Sequence, residues 1–221
     1  LKYLYMKIKL DEISFLKHSY LEIGLAHRPW LSFEEHINRY RVQGTMFIER
    51  MRIMNSADFG IYFGGLLGGE IDKDYQESVN SNNQGKYGSF AVGIYNGGGY
   101  HAIERNDNKN IEGRLSIRPL PNLIKGFHFG YGFAFGQGNI EEAPDFSMNL
   151  LYAAYESVYA RLMGQYYAGW GDSHGNIASP EGSAYFNKGF FFFFKANIPD
   201  FKLSLIGSYD YFKTEKDVDI I

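Results

Sequence analysis

Alternation with a period of two runs through most of this chain. Between residues 126 and 136, Phe127, Phe129, Tyr131, Phe133 and Phe135 fall on one parity, and His128, Gly130, Gly132, Ala134 and Gly136 on the other. Successive side chains of a strand point to opposite faces, so this stretch predicts a strand with one aromatic face and one small, nearly bare face. Just before it, Leu115 and Ile117 share one parity and Glu112, Arg114, Ser116 and Arg118 the other. Residues 2–10 set Leu4, Met6, Ile8 and Leu10 against Tyr3, Tyr5, Lys7 and Lys9. Residues 20–28 set Leu21, Ile23 and Leu25 against Glu22, Gly24 and Ala26, and Pro29 ends that strand because it has no N–H to donate. The pattern returns at 58–67, 89–95, 147–155, 158–167, 185–197 and 201–212. In the last of these Leu203, Leu205 and Tyr209 oppose Lys202, Ser204, Ser208 and Asp210. The five consecutive phenylalanines Phe190–Phe194 blur the parity and read as a strand buried on both faces.

The interruptions carry as much information as the strands. Over 31–57 the alternation fades and Arg39, Arg41, Arg50 and Arg52 appear. Ser32 followed by Glu35 has the spacing of a capping box and predicts a short helix beginning there. Two readings stay open for this segment: an inward fold that narrows a lumen, with the four arginines at the constriction, or a solvated connection. Residues 69–87, 100–110 and 169–183 are polar and turn-rich and read as exposed loops. The expectation is an all-β, antiparallel up-and-down array of about ten strands in which short turns alternate with long polar loops. Transmembrane β-barrels have that asymmetry, whereas soluble sandwiches and barrels have no reason for it.

Composition decides which face meets what. Of the 221 residues 18% are aromatic, 26 are Gly and only 6 are Pro, which suits curved sheets with aromatic girdles rather than a low-complexity linker. The mean hydropathy of −0.30 does not exclude a membrane barrel, because its apolar exterior averages against a polar lumen and loops. No run approaches the roughly 18 apolar residues of a membrane helix. The absence of cysteine excludes disulfides and cysteine metal sites, and the net charge of −3 gives no support for nucleic-acid binding. The opening LKYLYMKIKL is strand-like and no signal peptide, so the chain reads as a mature form or a fragment.

Catalytic and metal chemistry find little footing. His27, His36, His101 and His128 lack the close spacing of a ligand set. Ser173 and His174 are adjacent loop residues, which does not make a triad. Asn96-Gly97-Gly98-Gly99 resembles a phosphate loop by composition alone, without the Lys-Ser/Thr pair or a following helix. Parity instead nominates pore-lining charges: Lys7, Lys9, Arg114, Arg118, Arg161 and Lys202, together with Glu22, Glu112 and Asp210. Charges of mixed sign predict weak selectivity.

Several phrases resemble the phosphate-selective porins of bacterial outer membranes: AVGIYNGGGY (91–100), DNKNIEGRLSIRPLP (107–121), GFHFGYGFAFGQGN (126–139), YESVYARLMGQYYAGWGD (155–172) and FKLSLIGSYDYFKTEKDVD (201–219). The resemblance spans the chain from about residue 18. It implies a transmembrane β-barrel in a Gram-negative outer membrane, often trimeric, through whose water-filled lumen small solutes diffuse. Such barrels have about sixteen strands, and the chain ends in DVDII rather than a closing aromatic strand. The expectation is therefore that residues 1–221 form one β-barrel domain incomplete at the C-terminus, with missing N-terminal strands or a smaller complete barrel as alternatives. The expected function is a porin for small solutes, anions among them, with no enzymatic activity and no cofactor. Its partners would be the outer-membrane bilayer, small solutes, and a homotrimer or another outer-membrane protein, with no nucleic acid. A barrel with a plugged lumen that binds a partner, and a soluble β protein with an aromatic core, are the alternatives.

Overall fold

The computed structural model describes residues 2–40, 44–198 and 203–215. Ten strands follow one another: β1 (Leu4–Lys9), β2 (Leu16–His27), β3 (Ala57–Leu67), β4 (Gly88–Tyr95), β5 (Asn110–Ile117), β6 (Phe127–Gln137), β7 (Asp145–Glu156), β8 (Ala160–Trp170), β9 (Phe186–Ile198) and β10 (Leu203–Thr214). Each pairs antiparallel with its neighbours in chain order, giving one ten-stranded up-and-down sheet. The sheet is not closed: among the described residues β1 and β10 each have a single neighbour. Among the described residues three short helices interrupt the strands, α1 (Pro29–Ile37), α2 (Phe47–Arg50) and α3 (Lys73–Ser78).

The two faces of the sheet differ in kind. One is apolar and exposed on every strand, from Met6, Ile23, Ile61 and Ile94 through Leu115, Tyr131, Leu151 and Tyr166 to Phe192 and Leu205. Among the described residues, charges on it are confined to Asp145, Lys188 and Lys213, near the ends of their strands. The other face carries the buried core, and α1 and α2 lie on it. The aromatic side chains of the outward face are thus not the core of this chain. The run Phe190–Phe194 shows this: Phe191 and Phe193 are buried, while Phe190 and Phe192 are 42% and 45% exposed. It is a strand packed on one face, not on both. Strands β6 to β9 have 11–13 residues, at or above the roughly 9–11 that a tilted strand needs to cross a hydrocarbon layer.

The up-and-down order puts the connections 28–56, 96–109, 138–144 and 171–185 at one end, the loop end, and 10–15, 68–87, 118–126 and 157–159 at the other, the turn end. Two connections depart from the sequence reading. The helix in the first long connection starts at Pro29, not at the Ser32 capping box, and Arg28 at its N-cap makes no side-chain cap bond. A proline at the first helical position forgoes only an N–H that no turn would have satisfied, and its φ is already helical. Residues 69–87, read as an exposed loop, lie at the turn end and fold back over the inner face, burying Ile71, Tyr75, Asn80 and Asn83.

Candidate functional site

The segment from Arg28 to Ser56 enters from the loop end, runs along the inner face and returns. Going in, α1 presents Trp30, Leu31, Phe33 and Ile37; coming back, Met46, Phe47, Ile48, Ile53 and Met54 follow. They form one buried cluster with inward side chains of β6 to β9, among them Phe146, Met148, Leu150, Tyr152, Met163, Tyr167, Phe191 and Phe193. Phe47 stacks on Phe191 at 5.8 Å, and Trp30 and Phe33 meet Tyr152 at 5.0 and 5.4 Å. The bare parity of β6 makes room for this contact, since Gly132 lies beneath Trp30, with 3.5 Å between the ring and the position of a β-carbon. A turn of helix could not lie this close to a row of large side chains.

Inner-face arginines hold both ends of α1. At its start, Arg28 forms a fully buried pair with Glu112, its Nε donating at 2.8 Å and its Nη2 also bonded. Burial opposes the charge on Arg28, but Glu112 outweighs it and raises the guanidinium above its usual range. Arg114 donates to the Pro29 carbonyl at 3.1 Å and to Ser89, and lies 4.1 Å over the Phe33 ring. At the other end Arg161 donates to the Ile37 carbonyl at 3.3 Å, where a cation also meets the negative pole of the helix. On the return path Arg50 pairs with Asp210 of β10, at 2.6 Å for Nη2.

At the turn end a second inward segment meets the first. Asn80 donates to Glu156 at 2.7 Å and to the His36 carbonyl at 3.0 Å, and Arg39 donates to Asn80. His128 lies 3.3 Å from Glu156 and 3.1 Å from Asn83. Arg118 donates to the carbonyls of Asn83 and Gly85 and lies over the Tyr75 ring; burial holds its pKa below the usual guanidinium range. Burial, then the nearby Arg161, does the same for Arg39. Several cations therefore share few anions here, and backbone carbonyl oxygens accept from the terminal guanidinium nitrogens of Arg118 and Arg161, while Arg118 Nε is buried without a hydrogen-bond partner among the described residues.

The nominated pore-lining residues fall into two groups. Glu22, Glu112, Arg114, Arg118 and Arg161 are buried on the inner face, all of them except Glu22 bonded to an inserted segment or a residue flanking one. Lys7 lies 3.7 Å from Glu22 and 3.5 Å over the Tyr20 ring. With Lys9, His18, Glu12, Asn82 and Gln84 it lines a cavity of about 460 Å³ on the inner face of β1 and β2. A cavity of about 100 Å³ shares Tyr20, Leu66, Asn82 and Gln84 with it and continues between α1 and β3 to β5, past His36, Tyr62 and Arg114. Of the four constriction candidates, Arg39 and Arg50 bond inward as described and Arg52 is exposed at positive φ. Arg41 and Lys202 lie outside the described residues.

Sequence reasoning missed Arg28, Glu34, Asn80, Asn83, His128 and Glu156. The parity of β6 and β7 already turned His128 and Glu156 inward. Nothing in a polar tract such as 79–84 signals that its amides meet buried charges rather than water. Among the described residues no three His, Asp or Glu side chains are grouped to hold a metal ion. No described helix is long and apolar enough to cross a membrane, which says nothing of strands. The chain matches no family model, no curated protein and no solved structure.

Proposed function

We propose that this sheet is the wall of an outer-membrane β-barrel through which small solutes, anions among them, diffuse along the polar half of the inner face, past Lys7, Lys9 and His18. The observation that carries the reading is the outward face: ten strands expose Leu, Ile, Val, Phe and Tyr across their middles with no charge among them. In water so large an apolar surface is a liability; against hydrocarbon it is what a barrel needs. The reading requires β1 and β10 to find strand partners, because open backbone edges are not tolerated in lipid. It calls for no cofactor and no catalysis, and a homotrimer in the membrane is compatible with it. Reconstitution into planar bilayers tests it: stepwise conductance is the expected result, and solubility without detergent would sink it.

A specific observation favours a second reading, a barrel whose lumen is plugged. The inserted segment is seated by a continuous apolar core over β6 to β9 rather than by scattered polar contacts. Membrane insertion without conductance is the result that would select this reading, with the loop end then holding a partner.

A further inference from the structure

The seat of the inserted segment contains one group that does not belong in an apolar core. Glu34 of α1 is fully buried. It has three hydrogen-bond donors, Trp30 Nε1 at 2.9 Å, Gln165 Nε2 at 3.3 Å and the Phe47 backbone N–H at 3.4 Å, and two of the three are long. Among the described residues no cation pairs with it. Arg50 of α2 acts on it from a distance but is engaged by Asp210 of β10 and the Thr45 carbonyl. Of the other described charged groups on the packed elements, Arg114 of β5 is bonded to Pro29 and Ser89, Glu112 of β5 to Arg28, and Lys195 of β9 lies over the Tyr40 ring. Glu49 of α2 accepts from Ser56, Arg161 of β8 is bound to Ile37 and Glu156, and His128 of β6 faces Glu156. On α1 itself Glu35 pairs with Lys2, and burial lowers the pKa of His36, keeping it neutral at and above neutral pH.

A second observation lies beside the first. Gln165 Oε1 is buried and has no hydrogen-bond partner. A half-turn of that amide exchanges Nε2 for Oε1 in front of Glu34, and a neutral carboxyl then donates its proton to the orphan oxygen. We infer that Glu34 is a protonation latch: its neutral form bonds Gln165 and seats the inserted segment on the wall, and its ionisation releases the segment and widens the lumen. The seat stands apart from the channel reading; only the widening rests on it.

The direction of the effect follows from linkage. Burial pushes the Glu34 carboxyl from its ordinary 4.5 up to about 8. The seated state therefore holds a proton that the released state gives up, so seating is strongest below pH 4.5 and is lost as pH rises to about 8. Each pH unit in that window shifts the seating equilibrium toward release by up to about tenfold.

Trp30 bonds Glu34 directly and is one of only two tryptophans in the chain. The full chain carrying Trp170→Phe, reconstituted in phosphatidylcholine vesicles, reports on the seat through Trp30 emission alone. Between pH 5 and pH 9 the emission should move to longer wavelength and acrylamide quenching should rise, while adding Glu34→Gln should hold both at their acid values. A flat response in the Trp170→Phe protein, or an unchanged response with Glu34→Gln, overturns the latch. The Trp170→Phe titration decides the matter even if Glu34→Gln fails to fold. Conductance recorded in parallel separates the two proposals. A Trp30 shift in a membrane-inserted protein that never conducts supports the latch and removes the channel, whereas conductance that widens with an unmoved Trp30 removes the latch alone.

Discussion

The inner face of this sheet is two surfaces. Over β1 to β5 it is polar, with Glu22, Glu112, Arg114, Lys7 and Lys9 on strands that border cavities. Over β6 to β9 it is largely apolar, with Met148, Leu150, Met163, Phe191 and Phe193 beneath α1 and α2. The same alternation in sequence produces both, because a period of two says only that the faces differ, not what each one meets. On β7 to β9 both parities are apolar, and the inner one is satisfied by a segment far earlier in the chain. The lesson is that an inward strand position need not face water. A sheet with two apolar faces announces an insertion.

The contrast can be broken from either side, and the largest effect is expected where the two halves meet. Arg28→Ala leaves Glu112 buried without its cation, which should cost about 3–5 kcal/mol, because an uncompensated charge remains in a low dielectric. Replacing both, Arg28→Met with Glu112→Leu, should recover most of that loss. Guanidinium unfolding of the vesicle-embedded protein measures both. A single variant no worse than the double would mean that water reaches Glu112.

On the apolar side, Phe47→Ala removes a ring stacked on Phe191 in the centre of the seat. The cost should be about 3 kcal/mol, the low end for a buried Phe because the segment can settle into the gap. Trp30 in the Trp170→Phe background should become accessible to acrylamide. Smaller in effect is Gly132→Leu, which drives a side chain into the space beneath Trp30 and should cost about 1–3 kcal/mol by overpacking. Gly132→Ala, whose added carbon would lie at ordinary contact distance, should be nearly silent. Equal effects for the Ala and Leu variants in a quenching assay would show that α1 does not rest on β6.

Much of this architecture was legible because strand parity is a strict signal. The ranges of β2 to β10 were visible to within a few residues, and so was the division of Phe129, Tyr131 and Phe135 from His128 and Ala134. The inserted segment was legible only as an interruption. Its anchors Trp30, Phe33 and Phe47 have no periodicity that names the wall they meet, and Arg39, Arg41, Arg50 and Arg52 drew attention away from them. The exposed-loop reading of 69–87 fails for a plain reason. Asn80 and Asn83 look the same in sequence whether their amides bond water or Glu156, and only the third dimension supplies the carboxylate. Closure of the sheet was expected from the turn-and-loop asymmetry and from the family resemblance, neither of which names the two strands that would pair, and the described strands leave it open.

The finest test concerns the polar half alone. Lys7 is fixed by Glu22 and the Tyr20 ring, whereas Lys9 is exposed at the same cavity with no hydrogen bond or ion pair among the described residues. A free ammonium near a water-filled path attracts anions by about 1 kcal/mol at contact, and less in strong salt. Lys9→Gln should therefore lower the anion-to-cation permeability ratio, by up to about fivefold in 0.1 M salt, and the change should fade as salt rises toward 1 M. Reversal potentials in a salt gradient read this directly. Lys7→Gln should act differently, because it also strips the buried Glu22 carboxylate of a neighbouring cation and leaves it to His27. It should shift the ratio further toward cations than Lys9→Gln does, despite the lesser freedom of Lys7. If the two variants are indistinguishable, or if neither moves the reversal potential, solutes do not pass along β1 and β2, and the polar half of the inner face is only a solvated flank of the seat.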